Sequence, residues 1–209
     1  MDRKEEYNKI AEKIVSHVEN GTTDQAPEIL KVPTSDYTSH ERWSSEMKDI
    51  FQNLPLMLAL SIEMPNPGDY KAMEVTGIPV LITRDKSNKV NAFRNVCTHR
   101  GAIVAQEGIG NRSRFSCPYH GWTFGIGGEL RGVPYTEDAY YGEIDKTKLG
   151  LRHAAQVASY RGLVFGTWDN TAPSLKDYLG DIARYMDIAL DRTEDGTELI
   201  GPPQKFVVS

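Results

Sequence analysis

The 209-residue sequence has only two cysteines, Cys97 and Cys117, and five histidines. Two cysteines leave no material for a disulfide framework, which excludes a small secreted scaffold held by cross-links. No apolar run approaches the roughly 20 residues that cross a bilayer. No Lys/Arg-rich run is present, the formal net charge is −5 and the pI is about 5.6, so nucleic acid is not an expected partner. No internal repeat or low-complexity segment stands out. The polar start Met1-Asp2-Arg3-Lys4-Glu5-Glu6 does not read as a signal peptide. The expectation is a soluble cytoplasmic protein without a membrane anchor.

Both cysteines fall in one stretch. It opens with Cys97-Thr98-His99-Arg100-Gly101 and closes with Cys117-Pro118-Tyr119-His120-Gly121-Trp122. Two soft sulfurs and two imidazoles thus arrive as a Cys-x-His pair and a Cys-x-x-His pair, each followed by glycine. Such donors suit a Rieske-type [2Fe–2S] centre, in which two Cys hold one iron and two His the other. Two ferric ions and two sulfides leave a surplus of positive charge that two thiolates cancel. Neutral His ligands therefore ease reduction and raise the potential to roughly −150 to +300 mV, against about −400 mV for plant-type ferredoxins. Gly101 and Gly121 let the backbone turn tightly and aim N–H groups at the sulfides.

Two other readings compete less well. A structural zinc site usually pairs Cys with Cys and His with His, not Cys with His twice. A Cys97–Cys117 disulfide in an oxidising compartment would leave both histidines and both glycines without a reason.

Around the motif the chain changes character. Residues 3–20 predict an amphipathic helix, with Tyr7, Ile10, Ile14, Val15 and Val18 at helical spacing and Gly21 as its stop. Residues 39–53 predict a second, with Trp43, Met47, Ile50 and Phe51 on one face. Beyond Leu54-Pro55-Leu56 the sequence turns strand-like. Short strands are expected at 71–75, 80–83, 90–93, 114–116 and 123–124, with a further one after Gly127-Gly128. A hairpin is expected at 157–160 and 163–168. Ser174 reads as the N-cap of a helix through Leu179, Gly180 interrupts, and 181–190 reads as helical. A charged loop over 191–196, a breaker at Gly201-Pro202-Pro203 and a strand over 205–208 follow. The class is α+β: a small antiparallel β domain over 54–174 with the cluster loops at its tip, a helical arm over 1–53 and a helical stub over 175–209.

The quoted residues carry a resemblance. Asn95-Val96-Cys97-Thr98-His99-Arg100-Gly101 and Cys117-Pro118-Tyr119-His120-Gly121-Trp122-Thr123-Phe124 are similar to the signature of the large (α) subunit of Rieske non-haem iron aromatic ring-hydroxylating oxygenases, in its N-terminal half. The likeness runs from about Pro67-Gly68-Asp69-Tyr70 to Tyr178-Leu179-Gly180.

The resemblance implies that Cys97 and Cys117 ligate one iron and His99 and His120 the other, with an exposed ring nitrogen facing the electron's exit. Trp122 would shield the cluster from water, or serve as an ordinary core aromatic. Arg100 and Tyr119 would support the loops or contact a partner domain, or be plain surface side chains. It implies a ferredoxin or reductase as electron donor, a homotrimer or α3β3 assembly, and oxygenation of an aromatic substrate with electrons from NAD(P)H. The mononuclear Fe(II) of such enzymes, held by a 2-His-1-carboxylate triad, has no convincing ligand set here, because His17, His40 and His153 are scattered. That iron is expected in a C-terminal domain beyond Ser209, against which the helical arm would pack. A stand-alone Rieske ferredoxin is the alternative, but it needs neither flanking helical part. A respiratory Rieske subunit would usually bring a membrane anchor and a further cysteine pair. A non-catalytic Rieske-like regulator also fits, although all four ligands are intact.

Overall fold

The computed structural model describes residues 3–191, Thr193 and Thr197. The expected Gly201-Pro202-Pro203 breaker and the 205–208 strand lie outside the described residues, as does most of the 191–196 loop. The chain divides into two compact units between Arg42 and Trp43.

The first unit is built on helix α1 (Arg3–Asn20). Glu5 and Glu6 in its first turn and His17 in its last complement the helix dipole. Gly21, at φ +60°, ends it. The stripe of Ile10, Ile14, Val15 and Val18 is exposed along its length. A short turn, α2 (Ser35–Thr38), follows.

The helix expected over 39–53 is present over 40–51 and changes type within its length. Helix α3 (His40–Glu46) passes into a π-helical turn, Met47–Phe51, closed by Gln52 N–H donating to the Met47 carbonyl at 3.0 Å. Pro55 lacks the N–H that continuation would need and disfavours helical geometry just before it.

Among the described residues the second unit carries ten strands. In chain order they are β1 (Leu56–Leu60), β2 (Asp69–Val75), β3 (Ile78–Arg84), β4 (Val90–Arg94), β5 (Gly108–Asn111), β6 (Arg114–Ser116), β7 (Thr123–Gly125), β8 (Leu130–Gly132), β9 (Gln156–Tyr160) and β10 (Leu163–Thr167). They form three antiparallel sheets ordered β1-β10-β9, β4-β3-β2-β5 and β6-β7-β8. The helices are α4 (Thr136–Tyr140), α5 (Leu175–Leu179) and α6 (Ile182–Leu190). This is the α+β arrangement expected of the sequence.

Strand β3 explains the layering. Its Val80, Leu81, Ile82 and Thr83 are all fully buried, as in a strand covered on both faces. Because side chains alternate, Leu81 joins Phe93, Phe115, Phe124, Trp122 and both cysteines in one core. Val80 and Ile82 join Leu58, Met64 and Val164 in another. Each fully buried side chain of this size contributes about 1.5–3 kcal/mol. Thr83 ties β3 to the β7–β8 turn, its hydroxyl donating to the Ile126 carbonyl at 2.7 Å.

Turn chemistry sets the hairpins. Asp85 accepts from the Ser87 and Lys89 N–H groups at 2.9 and 3.0 Å, closing β3 onto β4. Ser174 caps α5 by accepting from Asp177 N–H at 3.3 Å. Helix α6 is tied to the β9–β10 hairpin by Tyr160, whose hydroxyl donates to Asp187 at 2.8 Å, and by Arg161, which pairs with Asp187 and Asp191, each at 2.9 Å.

β1, β5 and α4 were not singled out in the sequence. β5 reads Gly-Ile-Gly-Asn and carries no strand signal. It pairs with β2 because Gly110 leaves room for the Tyr70 ring, where a Cβ would lie 2.8 Å from Tyr70 Cε1.

Thr83→Val should lower the unfolding free energy by about 1–3 kcal/mol in urea titrations, since the buried Ile126 carbonyl loses this donor. The Asn111 amide, ahead of the opposing effect of burial, holds the Asp69 carboxyl below its usual range. At Asp85 burial pushes upward, and hydrogen bonds from Ser87, Asn91 and Lys89 outweigh it. Both folded pKa values are depressed, so their stabilisation is complete above the ordinary carboxylate range. It is lost as the pH falls through the folded values. Denaturation midpoints should therefore drop in acid, and less so in Asp85→Asn.

Candidate metal centre

The two Cys/His loops are copies of one turn. In the first, Gly101 N–H donates to the Cys97 carbonyl at 2.9 Å and Cys97 N–H to the Ala102 carbonyl at 2.8 Å. In the second, Gly121 N–H donates to the Cys117 carbonyl at 3.0 Å and Cys117 N–H to the Trp122 carbonyl at 2.7 Å. Each turn therefore needs a left-handed residue at its fifth position, and Gly101 and Gly121 sit at φ +75° and +71°. The second loop is the tip of the β6–β7 hairpin, whose last pair is Ser116 with Thr123. The first is held on one side by Asn95. Its buried amide donates to the Ala105 carbonyl at 2.7 Å and accepts from Ala105 N–H at 2.9 Å. On the other side the Thr98 hydroxyl donates to the Leu149 carbonyl at 2.6 Å.

Cys97 and Cys117 are free and buried. Burial pushes the Cys97 thiol above its usual range, the neighbouring Cys117 adds to this, and the backbone N–H groups of His99 and Arg100 pull against it. His99 is half-buried and His120 exposed. Their ring centroids are 4.8 Å apart at 67°. Burial, then the nearby His120 and Arg100, holds the His99 imidazole below its usual range.

An aromatic ladder crosses both loops. The Arg100 guanidinium lies 5.5 Å over the Tyr119 ring, which meets His120 at 3.8 Å. His99 stacks face to face on Trp122 at 4.7 Å and 7°, and Trp122 meets Tyr140 edge-on at 6.2 Å. The Tyr140 hydroxyl lies 3.5 Å from His99 Nε2. His99 Nδ1 is buried without a hydrogen-bond partner.

These features fit an iron–sulfur centre. A buried thiol with N–H groups directed at its sulfur is prepared to act as a thiolate ligand. A buried imidazole nitrogen without a partner is available to a Lewis acid. Among the described residues, no three His, Cys, Asp or Glu side chains converge as ligands of a single ion. The paired Cys and His donors suit a two-iron cluster, which takes two protein ligands at each iron.

The remaining histidines lie apart from this set in sequence and setting. His17, on α1, bonds Thr22 at 2.9 Å, His40 opens α3, and His153 packs edge-on against Phe93 at 4.7 Å.

Three residues of the site were not legible as functional. Thr98 and Asn95 act through backbone groups distant in sequence. Tyr140 comes from α4, whose flanking residues Tyr135 and Tyr141 are both left-handed, at φ 56° and 54°. That conformation costs roughly 1–2 kcal/mol per non-glycine residue. Nothing in the local sequence signals it.

Residues 55–160 match the model of the Rieske [2Fe–2S] domain. The chain is 39% identical over 168 residues to the large oxygenase component of a naphthalene 1,2-dioxygenase system from Pseudomonas aeruginosa, covering 80% of this chain and 37% of that one. It is 38% identical over 178 residues to the biphenyl dioxygenase subunit alpha of Metapseudomonas furukawaii, covering 82% and 39%. Among solved structures, naphthalene 1,2-dioxygenase from Rhodococcus sp. bound to indole superposes with a TM-score of 0.78 at 40% identity, over 83% of this chain and 39% of that one. The chain thus spans under two-fifths of the length of these relatives.

Asn95→Ala should cost about 2–4 kcal/mol in chemical denaturation, because it strands two buried backbone groups of Ala105 and leaves a cavity. An exposed-residue control such as Lys86→Ala should stay within about 0.5 kcal/mol of the parent.

Proposed function

The chain belongs to the Rieske [2Fe–2S] domain family, and on that premise we propose that it is the electron-transfer part of the large component of an aromatic ring-hydroxylating oxygenase. The observation that carries this reading is the pair of matched turns. They present two free buried thiols and two imidazoles, one with an unpartnered buried Nδ1. We assign Cys97 and Cys117 to one iron and His99 and His120 to the other. The cluster, when bound, would accept and release one electron at a time. The protein's own contribution is positional. Gly101 and Gly121 shape the two cradles, and Trp122 excludes water behind His99. Asn95 and Thr98 hold the first loop in place, and His99 keeps Nδ1 free for iron.

Relatives of more than twice this length support a wider assignment. Residues 1–53 form a helical arm, 54–174 the Rieske domain, and 175–209 the entry to a catalytic domain that would hold a mononuclear non-haem iron. The exposed apolar stripe of α1 supports an arm that packs on further protein. The electron donor is a ferredoxin or a reductase drawing on NAD(P)H, the assembly a homotrimer or α3β3, and the substrate an aromatic hydrocarbon. Among the described residues no helix is long and apolar enough to cross a membrane, and we place the protein in the cytoplasm.

Iron and acid-labile sulfide should be measured on the product of the full natural gene. Three irons and two sulfides per chain are expected; two irons with two sulfides would instead favour a stand-alone Rieske ferredoxin. In the 209-residue chain, Cys117→Ser should abolish the visible absorption, and a coloured, reducible variant would sink the ligand assignment.

A further inference from the structure

We infer that Tyr140 is a positioning residue that holds the His99 imidazole and, through it, tunes the reduction potential of the centre. The inference rests on the cluster reading above and deepens it.

An imidazole has two nitrogens, and a half-turn about its outer torsion, within a broad, roughly two-fold well, puts Cδ2 in the place of Nδ1 and Cε1 in the place of Nε2. Trp122 fixes the plane of the His99 ring by stacking at 7°, but a stack does not distinguish one ring edge from the other. Tyr140 does. Its hydroxyl faces Nε2 at 3.5 Å, which leaves Nδ1 as the buried, unpartnered nitrogen. A neutral imidazole carries one proton, so an Nδ1 free for iron puts the N–H on Nε2. Nε2–H then donates to the phenol oxygen. Ligating histidines commonly give their second N–H to an acceptor, which orients the ring and raises its basicity. A more basic ligand favours the oxidised state of the centre.

The setting of Tyr140 supports this role. Helix α4 has five residues, too few to be stable alone, and is bounded by two left-handed tyrosines. Tyr135 and Tyr141 are 77% and 85% exposed, so their side chains recover little by burial. Tyr140, between them, packs on the core cluster that contains both cysteines. The strained turn thus serves to bring this one ring against Trp122 and His99. His120, exposed and tilted on Tyr119, has no comparable brace from α4.

The test is Tyr140→Phe in this chain with its cluster in place, which keeps the ring and removes only the acceptor. Iron and sulfide content, thermal midpoint, reduction potential by protein-film voltammetry and the ligand 14N couplings by pulsed EPR would be compared with the parent. Tyr141→Phe, exposed on the same turn, is the control and should match the parent. Expected for Tyr140→Phe is a potential raised by the equivalent of three- to tenfold in the oxidised-to-reduced equilibrium, about 30 to 60 mV for one electron. The 14N couplings should change with it and cluster content should not. A lowered thermal midpoint with unchanged potential and couplings would mark Tyr140 as packing alone and overturn the inference. A parent chain that binds no iron and sulfide would overturn the cluster reading as well, so the two failures are distinguishable.

Discussion

Two buried thiols held close together, each at the start of a turn closed back onto its own cysteine, set the terms for the rest of the second unit. The Cys97 thiol resists ionisation, because burial outweighs the N–H groups that pull it the other way. A bound metal would favour the thiolate outright. The scaffold is correspondingly stiff. One turn is the tip of a short hairpin, and the other is pinned by a side chain whose two polar ends both engage Ala105. Neither loop depends on a surface ion pair for its shape.

Similarity of the two turns does not extend to their histidines. His99 is packed under Trp122 and beside Tyr140, whereas His120 opens to solvent next to Tyr119. Two imidazoles on matching turns are thereby made inequivalent by their surroundings. Under the proposed cluster assignment, the half-buried member suits control of the centre and the exposed one suits contact with an electron partner. This division is produced partly within the motif, by Trp122 and Tyr119, and partly by the short helix α4, which brings Tyr140 to His99.

The motif itself was legible because its information is local. Two donors within three or four residues, followed by glycine, describe a loop without reference to the rest of the chain. The strands rich in Val, Ile and Phe, the Ser174 cap and the Gly21 stop were legible for the same reason, since each rests on neighbouring residues. The helix expected over 39–53 is present over 40–51, but its change to π geometry at Met47–Phe51 was not legible because the apolar spacing continues through it. β5 was invisible because its strand state comes from pairing with β2 and from the space Gly110 leaves for Tyr70. Tyr140 was invisible because two tyrosines adopt a conformation that tyrosine ordinarily avoids. No pattern in Tyr-Thr-Glu-Asp-Ala-Tyr-Tyr announces it.

The order of strands also bears on how the molecule is made. β1 leaves the ribosome early, but its partner β10 lies about a hundred residues further on, with Met57 opposite Phe165. Until that partner arrives, Leu58 and Ala59 have no sheet to join, and Val164 is not yet there to close their core. The β6-β7-β8 meander needs only its own neighbours, and closing such local loops is fast, whereas distant pairing is slow. The second cradle can therefore take shape on a nascent chain whose outer sheet is still open. Metal acquisition and completion of the fold become separable in time, and a metal-free interval during synthesis would leave two thiols accessible that the finished protein buries.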